Sequence, residues 1–405
     1  MRLVYLCLLS ASLLCVAAAR SNAADDTLLH DMDAATRFRT GEKDKIDIVD
    51  GNKGKALRFT YPEKCQNVFI MTPIRGKPAW DQTDGFSFWV KGDGSDHFGG
   101  LQFIYDEDYA VRYDYMFPIK GTDWQKVTVA WSDLIPVLPG AKSVPLSKDG
   151  PNKPSKLSAL WFGKWWYWRD YAAHSFAVDE LRLEAKIERP TENLAPKGPP
   201  LARTLDKLKA GQPVTIVTMG DSLTDTRHWA NREVDWANLL KKQLESKYKS
   251  KVTIINPAIG GTQLRQNLVL IPRWLAQAPE PDLVAVCFGG NDWDSGMRGP
   301  QFEQTTRDAI ERIRRATAGK ADVLILTTLP TVKEWTTRNE LGEACRQAAR
   351  QGNAGLADTE LAFHEEGKNA REKLFARDQV HLGPFGHEVM ARTVLEVIEK
   401  AGAGK

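Results

Sequence analysis

Cysteine is scarce in this chain, which holds five in 405 residues. Cys7 and Cys15 lie near the N-terminus, and Cys65, Cys287 and Cys345 are far apart in the remainder. Cysteines dispersed in this way exclude a disulfide framework and a zinc cluster built from closely spaced thiols. Cys287 lies inside an apolar run, which favours a small buried side chain over a reactive thiol.

The chain also lacks a strong excess of charge of either sign. Its 55 lysines and arginines stand against 52 aspartates and glutamates, so the formal net charge is only +3. Proteins that bind nucleic acids usually carry a dense basic patch. The charge balance therefore gives no sign of a nucleic-acid partner.

Long apolar runs are missing except at the N-terminus. There Arg2 precedes a leucine-rich stretch, and the small residues Ser21, Asn22 and Ala23 follow it. This pattern is typical of a secretory signal peptide, which we expect to span residues 1–23. A membrane anchor is the alternative, but the run is shorter than the ~20 residues that a spanning helix needs. The sequence therefore predicts a secreted or periplasmic protein without a membrane partner.

The first half, residues 24–189, contains short runs in which apolar and polar residues alternate, with Gly, Asp and Asn between them. The clearest runs are residues 55–61, 85–90, 101–105, 124–129 and 175–183. Such alternation is typical of half-buried antiparallel strands. We therefore expect an all-β sandwich.

The second half, residues 201–405, begins after residues 190–200, PTENLAPKGPP, whose four prolines predict a semi-rigid linker. In it, compact β-rich runs alternate with segments of helical periodicity. The β-rich runs are residues 214–219, 252–255, 283–288 and 323–327. This alternation predicts a layered α/β domain with a parallel sheet and right-handed crossovers.

Polar or glycine-rich loops follow the first three of these predicted strands. Ser222 lies in the first loop, where we also expect it to stand at the N-terminus of a helix. In open α/β sheets, ligands bind beyond the carboxyl ends of the strands. These loops, together with a fourth polar segment ending at His381, therefore predict one common site.

The four segments resemble the conserved blocks of the SGNH hydrolases, also called GDSL esterases and lipases. They are GDSL at Gly220 to Leu223, the loop at Asn256 to Gly261, GGND at Gly289 to Asp292, and D-x-x-H at Asp378 to His381. The resemblance covers about residues 214–391. It implies a three-layer α/β/α hydrolase domain that cleaves esters without a metal or another cofactor.

The resemblance also implies the catalytic roles. Ser222 would be the nucleophile, His381 its general base, and Asp378 the group that orients the imidazole. The backbone N–H groups of Ser222 and Gly261 and the side-chain amide of Asn291 would form the oxyanion hole.

Three points stay open at this stage. His387 competes with His381 as the base, although only His381 has an aspartate three residues before it. Gly260 competes with Gly261, although the spacing from the asparagine of that loop favours Gly261. Ala258 stands where relatives often have a glycine, so the shape of its loop is uncertain.

The first half resembles sandwich modules of the galactose-binding-like or carbohydrate-binding type, through residues 85–95, the strand after Trp124 and residues 178–183. A further stretch, KWWYWRDY at residues 164–171, is unusually aromatic. As a strand, it would direct Trp166 and Trp168 to the face opposite Trp165. One face would enter the sandwich core, and the other would be covered by a sugar ring, by the neighbouring domain or by a loop.

Together these features predict a secreted esterase that removes acetyl or other short acyl groups from a polysaccharide or oligosaccharide. The expected substrate contacts are Asp221, Trp293, Trp165, Trp166 and Trp168. One alternative is a lipase, arylesterase or thioesterase acting on non-carbohydrate esters, and the other is a non-catalytic carbohydrate-binding protein. The oligomeric state stays open.

Four carboxylates of the first half raise the question of calcium, which related sandwich modules sometimes bind. They are Asp31, Asp33, Asp179 and Glu180. A solvated surface is the simpler interpretation, and no catalytic metal is expected.

Overall fold

The computed structural model describes residues 27–35, 38–41, 44–65, 67–72, 74–189 and 192–401. The expected signal peptide at residues 1–23 lies outside these ranges, as do residues 190 and 191 of the expected linker. No helix within the ranges combines the length and the apolar character needed to cross a membrane.

Antiparallel strands make up the first half of the chain. Their bounds are β1 (Leu28–His30), β2 (Lys45–Asp50), β3 (Lys55–Tyr61), β4 (Val68–Thr72), β5 (Gly85–Gly92), β6 (Phe98–Tyr105), β7 (Asp108–Pro118), β8 (Gln125–Ala130), β9 (Ile135–Pro136), β10 (Leu157–Lys164) and β11 (His174–Glu184). One sheet has the order β2-β3-β11-β5-β8, with β1 paired to β11, and the other has the order β4-β10-β6-β7-β9. The expected β-sandwich is confirmed.

The second sheet of this sandwich is covered on both faces. In β10, Leu160 and Phe162 face the core between the two sheets, whereas Trp161 faces a cluster that includes residues of the second half. The same division separates Phe103 from Ile104 in β6. Because side chains alternate between the faces of a strand, a sheet buried on both sides loses the polar alternation of a half-exposed one.

Parallel strands alternate with helices in the second half. The strands are β12 (Val214–Gly220), β13 (Val252–Ile255), β14 (Leu283–Cys287), β15 (Asp322–Leu326) and β16 (Gly355–Ala357). The helices are α1 (Ala202–Lys209), α2 (Trp236–Tyr248), α3 (Leu264–Val269), α4 (Ile271–Leu275), α5 (Gly290–Asp294), α6 (Gly299–Ala316), α7 (Asn339–Gln351), α8 (Thr359–Glu366) and α9 (Pro384–Lys400). We call this half the α/β domain.

The parallel sheet has the order β13-β12-β14-β15-β16. Apolar residues of α1, α2, α8 and α9 pack on one face of it, and those of α3, α4, α6 and α7 pack on the other. This is the expected three-layer α/β/α arrangement. The strand order reverses between β12 and β14, which is where open α/β sheets form their ligand crevice.

The aromatic stretch KWWYWRDY departs from its prediction. Strand β10 ends at Lys164, and residues Trp166–Trp168 form a single 3₁₀ turn that Arg169 ends in the left-handed conformation, at φ 51°. Trp165 and Trp168 are therefore not on opposite faces of a strand. Both are buried in the cluster shared with the α/β domain, with 6% and 1% of their surface exposed.

Arginine side chains of the α/β domain also hydrogen-bond to backbone carbonyl groups of the sandwich. Arg312 donates to the carbonyls of Ser132 and Asp133, at 2.7 and 3.1 Å. Arg265 donates to the carbonyl of Leu138 at 3.2 Å. The guanidinium group suits this role because it carries five N–H donors in a fixed geometry. The two halves are thus joined by apolar packing and by donors aimed at loop carbonyls.

Candidate active site

The loops at the switch point of the parallel sheet bring the predicted site residues together. Ser222 follows β12 and Asn291 follows β14, so they lie on either side of the point where the strand order reverses. Ser222 does not begin a regular helix, which corrects the sequence expectation. The chain makes one turn, in which the N–H groups of Thr224 and Asp225 donate to the carbonyl of Asp221, and the next α-helix starts only at Trp236.

A hydrogen-bonded chain links serine, histidine and aspartate. His381 Nε2 lies 2.9 Å from Ser222 Oγ, and His381 Nδ1 lies 2.6 Å from Asp378 Oδ2. The second oxygen of Asp378 accepts the backbone N–H groups of Val380 and His381, at 3.1 and 3.0 Å. The aspartate therefore holds both the backbone and the ring of His381, and the far nitrogen of that ring faces the serine.

The Asp378 carboxylate is suited to balance a positive charge on the imidazole. Its partial burial alone would raise its pKa, but the hydrogen bonds from the His381 ring and from two N–H groups outweigh burial and lower the pKa. A lowered pKa keeps the carboxylate ionised at neutral pH. It can then stabilise an imidazolium ion.

His387, the alternative candidate for the general base, does not lie beside Ser222. His387 is fully buried in α9, whereas the hydroxyl of Ser222 is hydrogen-bonded to His381. Burial lowers its pKa to about 4, so the ring is neutral and sequestered. Of the two histidines, His381 is the one that lies beside Ser222.

The structure also separates the two candidate glycines of the β13–α3 loop. The Gly260 N–H donates to Asp225 Oδ2 at 3.0 Å and is not available to a substrate. The N–H groups of Ser222 and Gly261, in contrast, have no acceptor among the described residues. Gly261 adopts φ 79° and is exposed. These two N–H groups are therefore free donors on the loops that follow β12 and β13.

Asn291 bridges the loops that carry these donors. Its Nδ2 donates to the carbonyl of Thr262 at 3.0 Å and to Asp221 Oδ2 at 3.2 Å. The amide is thus fixed on one side to the residue after Gly261 and on the other to the residue before Ser222. An oxyanion between these loops would accept a hydrogen bond from the Asn291 amide, either in addition to Asp221 Oδ2 or in its place.

The profile of the GDSL-like lipase/acylhydrolase family matches residues 218–389, which include each of these loops. The α/β domain is a GDSL-like hydrolase domain.

The hydrolase domain is similar to part of a curated relative and to solved structures. It is 33% identical over 104 residues to thioesterase 1/protease 1/lysophospholipase L1 of Escherichia coli strain K12, a match that covers 26% of this chain and 47% of that protein. The chain thus spans about half the length of the curated relatives it matches.

Among solved structures, an acetylxylan esterase from Geobacillus stearothermophilus is 23% identical, with a TM-score of 0.40 over 47% of this chain and 96% of its own. An α/β hydrolase from the metagenome of Lake Arreo, Spain, is 21% identical, with a TM-score of 0.39 over 47% and 96% of the two chains.

Asp221, expected to contact substrate, is instead buried beneath the serine. Its oxygens accept the N–H of Leu223 at 3.0 Å and the Asn291 amide at 3.2 Å. Burial is the main cause that raises its pKa to about 6. Its role in the structure is to brace the turn that presents Ser222, and this corrects the expected substrate contact.

A second set of hydrogen bonds that hold the site loops was not predicted from the sequence. Arg227 pairs with Asp225 through two bonds of 2.8 and 3.1 Å and also donates to the carbonyl of Ala258 at 2.7 Å. Asn256 donates to the carbonyl of Thr224 at 2.8 Å. Ala258 is buried without positive φ, so this loop does not require the glycine that relatives often have there.

One wall of the hydrolase site was also missed. The His228 ring stacks on His381 with centroids 4.0 Å apart, and Trp229 meets His381 edge-on at 6.1 Å. Arg377 covers Trp229 at 4.9 Å from the ring centroid. Burial and the neighbouring His381 lower the pKa of His228. This favours a neutral His228 ring, stacked on His381. Nothing in the sequence spacing of these residues indicates that they stack.

The tryptophans expected to contact substrate fall into two groups. Trp165 and Trp168 are buried between the domains and present no ring face to a ligand, which corrects their expected role. Trp166 is 39% exposed. Trp293 is half-buried beside Asn291, and the Arg298 guanidinium covers its ring at 3.8 Å. Trp166 and Trp293 remain predicted contacts.

No group of three or more histidine, cysteine, aspartate or glutamate side chains that could hold a metal occurs in the described part of the chain. The four carboxylates considered for calcium have other partners. Asp31 accepts the N–H of Asp33 at 3.2 Å, and Asp33 accepts the N–H of Lys55 at 2.8 Å. Asp179 accepts the N–H of Lys53 at 2.9 Å, and Glu180 pairs with Arg182 at 2.9 Å.

Proposed function

We propose that the protein is a secreted serine esterase that removes acetyl or other short acyl groups from a polysaccharide or oligosaccharide. One observation carries the catalytic part of the proposal. Ser222 Oγ lies 2.9 Å from His381 Nε2, and the N–H groups of Ser222 and Gly261 have no acceptor among the described residues. A nucleophile, a base and unsatisfied donors at one point are the requirements of acyl transfer.

Each residue has a defined step in this mechanism. His381 Nε2 accepts the Ser222 hydroxyl proton as Oγ attacks the ester carbonyl, and Asp378 stabilises the resulting imidazolium. The N–H groups of Ser222 and Gly261 donate to the oxyanion, with Asn291 as the third donor. His381 then protonates the leaving alcohol, which leaves an acyl group on Ser222. Water, deprotonated by His381, releases the acid and restores the serine.

Exposed aromatic rings support a carbohydrate substrate. Trp229 is 41% exposed beside His381, while Trp166 and Tyr171, which flank Arg169 in the sandwich, are 39% and 38% exposed. Exposed aromatic side chains suit sugars because the ring offers an apolar face to the C–H groups of the sugar. We infer that these rings line the path of a glycan to Ser222.

The experiment is a measurement of acetate release from acetylated polysaccharides, with acetylated xylan among them, beside long-chain acyl esters and acyl thioesters. Wild-type protein is compared with Ser222→Ala and with Ser246→Ala, which alters an exposed serine of α2. We expect release from one class of glycan, lost in Ser222→Ala and kept in Ser246→Ala.

Other outcomes select the alternatives. Hydrolysis confined to long-chain esters or thioesters, lost in Ser222→Ala, would assign the protein to lipases or thioesterases, in line with its partial similarity to thioesterase 1. Glycan binding without hydrolysis of any ester would identify a non-catalytic binding protein. Mass spectrometry of exported protein tests the secretion proposal, for which we expect a mature chain that begins at Ala24.

A further inference from the structure

The peptide group that joins Gly260 to Gly261 has a free donor on one side and a sandwich residue bound on the other. Its N–H, on Gly261, has no acceptor among the described residues and is a candidate oxyanion donor. Its carbonyl oxygen, on Gly260, accepts a hydrogen bond from Arg169 Nη2 at 3.5 Å. Arg169 belongs to the sandwich, so a residue outside the hydrolase domain contacts the group expected to stabilise the transition state.

The rest of this loop is fixed by the hydrolase domain itself. The Ile259 N–H donates to the Gly220 carbonyl at 3.1 Å, and the Gly260 N–H donates to Asp225 at 3.0 Å. Within the described chain, the Gly260 carbonyl has Arg169 as its one hydrogen-bond donor. Gly261 has φ 79°, and a Cβ at that position would meet nothing within 4 Å. The plane of this peptide is therefore loosely held unless Arg169 restrains it.

Arg169 is itself held in place from both sides. It ends the Trp166–Trp168 turn, and its N–H donates to the Trp166 carbonyl at 3.3 Å. The Trp168 carbonyl, directly before it, accepts a hydrogen bond from Arg273 of the hydrolase domain. Trp168 itself is buried in the cluster shared with the hydrolase domain. The turn is therefore anchored on the same domain that Arg169 contacts.

Among the described residues, no carboxylate lies within 4 Å of the Arg169 guanidinium, so its charge is not paired. Arg169 lines a cleft of about 140 Å³ together with Arg227 and Arg273. The Arg227 charge is paired with Asp225. Arg169 is exposed, so water screens its charge and limits its effect.

We propose that Arg169 is a positioning residue of the oxyanion hole, so that the sandwich completes the active site of the hydrolase domain. A donor on the carbonyl fixes the plane of the 260–261 peptide and polarises it, which strengthens the N–H as a donor. The proposal rests on the proposed esterase function. It differs from a role in sugar binding because it predicts an effect on substrates that contain no sugar.

The test uses the full chain and p-nitrophenyl acetate, a small neutral ester. Arg169→Met keeps the length of the side chain and removes its donors, and Arg169→Lys keeps a charged donor. We expect Arg169→Met to lower kcat about tenfold with KM nearly unchanged, less than the ~10²–10³ that loss of an oxyanion donor itself costs. Arg169→Lys should recover part of the loss. Arg75→Gln, which alters an exposed sandwich arginine paired with Glu107, is the matched control.

A second readout separates positioning from general loosening of the structure. A boronic acid forms a tetrahedral adduct with the serine and places an oxygen in the oxyanion hole, so its affinity should fall in Arg169→Met by the same factor as kcat. An unchanged kcat and boronate affinity in folded Arg169→Met would overturn the proposal. So would a change in KM alone. If wild-type protein hydrolyses no ester, or if Ser222→Ala is as active as wild type, it is the proposed function that fails.

Discussion

The hydrolase domain and the sandwich place their functional residues by different means. In the hydrolase domain the strands are parallel, so the loops after β12, β13 and β14 meet at one edge of the sheet. In the sandwich the strands are antiparallel, and successive loops lie at opposite ends. The turn that carries Arg169 reaches the site only because the aromatic residues before it pack between the domains.

This contrast teaches where sequence patterns carry functional information. A glycine-rich loop after a parallel strand lies at the ligand edge whatever its neighbours are. An aromatic turn in an antiparallel sheet acquires its role from the surface on which it packs, and that surface is distant in the sequence.

The largest effect should come from His381, with His387 of the same domain as its comparison. We expect His381→Ala to lower kcat on the order of 10⁴-fold or more, because the serine loses its base. His387→Ala should leave kcat within a few-fold of wild type and reduce stability, because it removes a fully buried ring. Steady-state kinetics and thermal unfolding of both variants measure this. A severe loss of kcat in stable His387→Ala would reverse the assignment.

The next effect concerns the aromatic turn of the sandwich. Trp168→Ala should lower the free energy of unfolding by about 3–5 kcal/mol, since it removes a fully buried ring between the domains. Trp166→Ala, on the same turn but 39% exposed, should change the free energy by less than about 0.5 kcal/mol. Denaturant unfolding compares them. Equal losses would mean that the turn does not pack as described.

Substitution of Asn291 tests whether the loops of the hydrolase domain meet at one oxyanion hole. We expect Asn291→Ala to lower kcat by about 10²–10³ with little change in KM, as for removal of an oxyanion donor. Its bonds to Thr262 and Asp221 are lost as well, so unfolding is measured in parallel. A rise in KM alone, with kcat preserved, would remove Asn291 from the oxyanion hole.

The smallest effect is a pH-dependent difference in stability at Asp292. Burial is the main cause that raises the pKa of this carboxyl to about 7, and the nearby Asp221 adds to the shift. Between about pH 4 and 7 the folded state keeps the proton that the unfolded state has lost, so stability from this group falls as pH rises.

Asparagine cannot ionise, so the Asp292→Asn variant does not lose this stability as the pH rises. The stability of the variant relative to wild type should therefore increase between pH 4 and 7, by at least about 1 kcal/mol at ~1.4 kcal/mol per pKa unit. Urea unfolding of both proteins across this range measures the difference. A difference that stays constant with pH would show that Asp292 ionises normally in the folded state.

Much of the hydrolase site could be predicted from its sequence. The serine, histidine, aspartate, asparagine and Gly261 of the predicted site all lie around one point, because the edge of a parallel sheet fixes where its loops meet. The spacing from Asn256 already favoured Gly261 over Gly260, and the structure adds the physical reason, which is that the Gly260 N–H donates to Asp225. The helix expected at Ser222 was wrong because the chain continues into loops after a single turn.

The sandwich shows what sequence patterns could not supply. Its strands follow from alternation, but KWWYWRDY leaves the strand after Lys164 and forms a turn that ends at Arg169 in a left-handed conformation, which no nearby glycine signals. Arg169, His228 and Arg227 act through contacts with residues between about 30 and 150 positions away. Such contacts follow from tertiary packing and leave no local pattern.

The most direct test of the account is labelling with a fluorophosphonate, which reacts with activated serines, followed by peptide mapping. The account predicts one label per chain on Ser222, loss of ester hydrolysis in step with labelling, and no label in folded Ser222→Ala. A label on another serine, or ester hydrolysis that persists in Ser222→Ala, would contradict the assignment of Ser222 as the nucleophile.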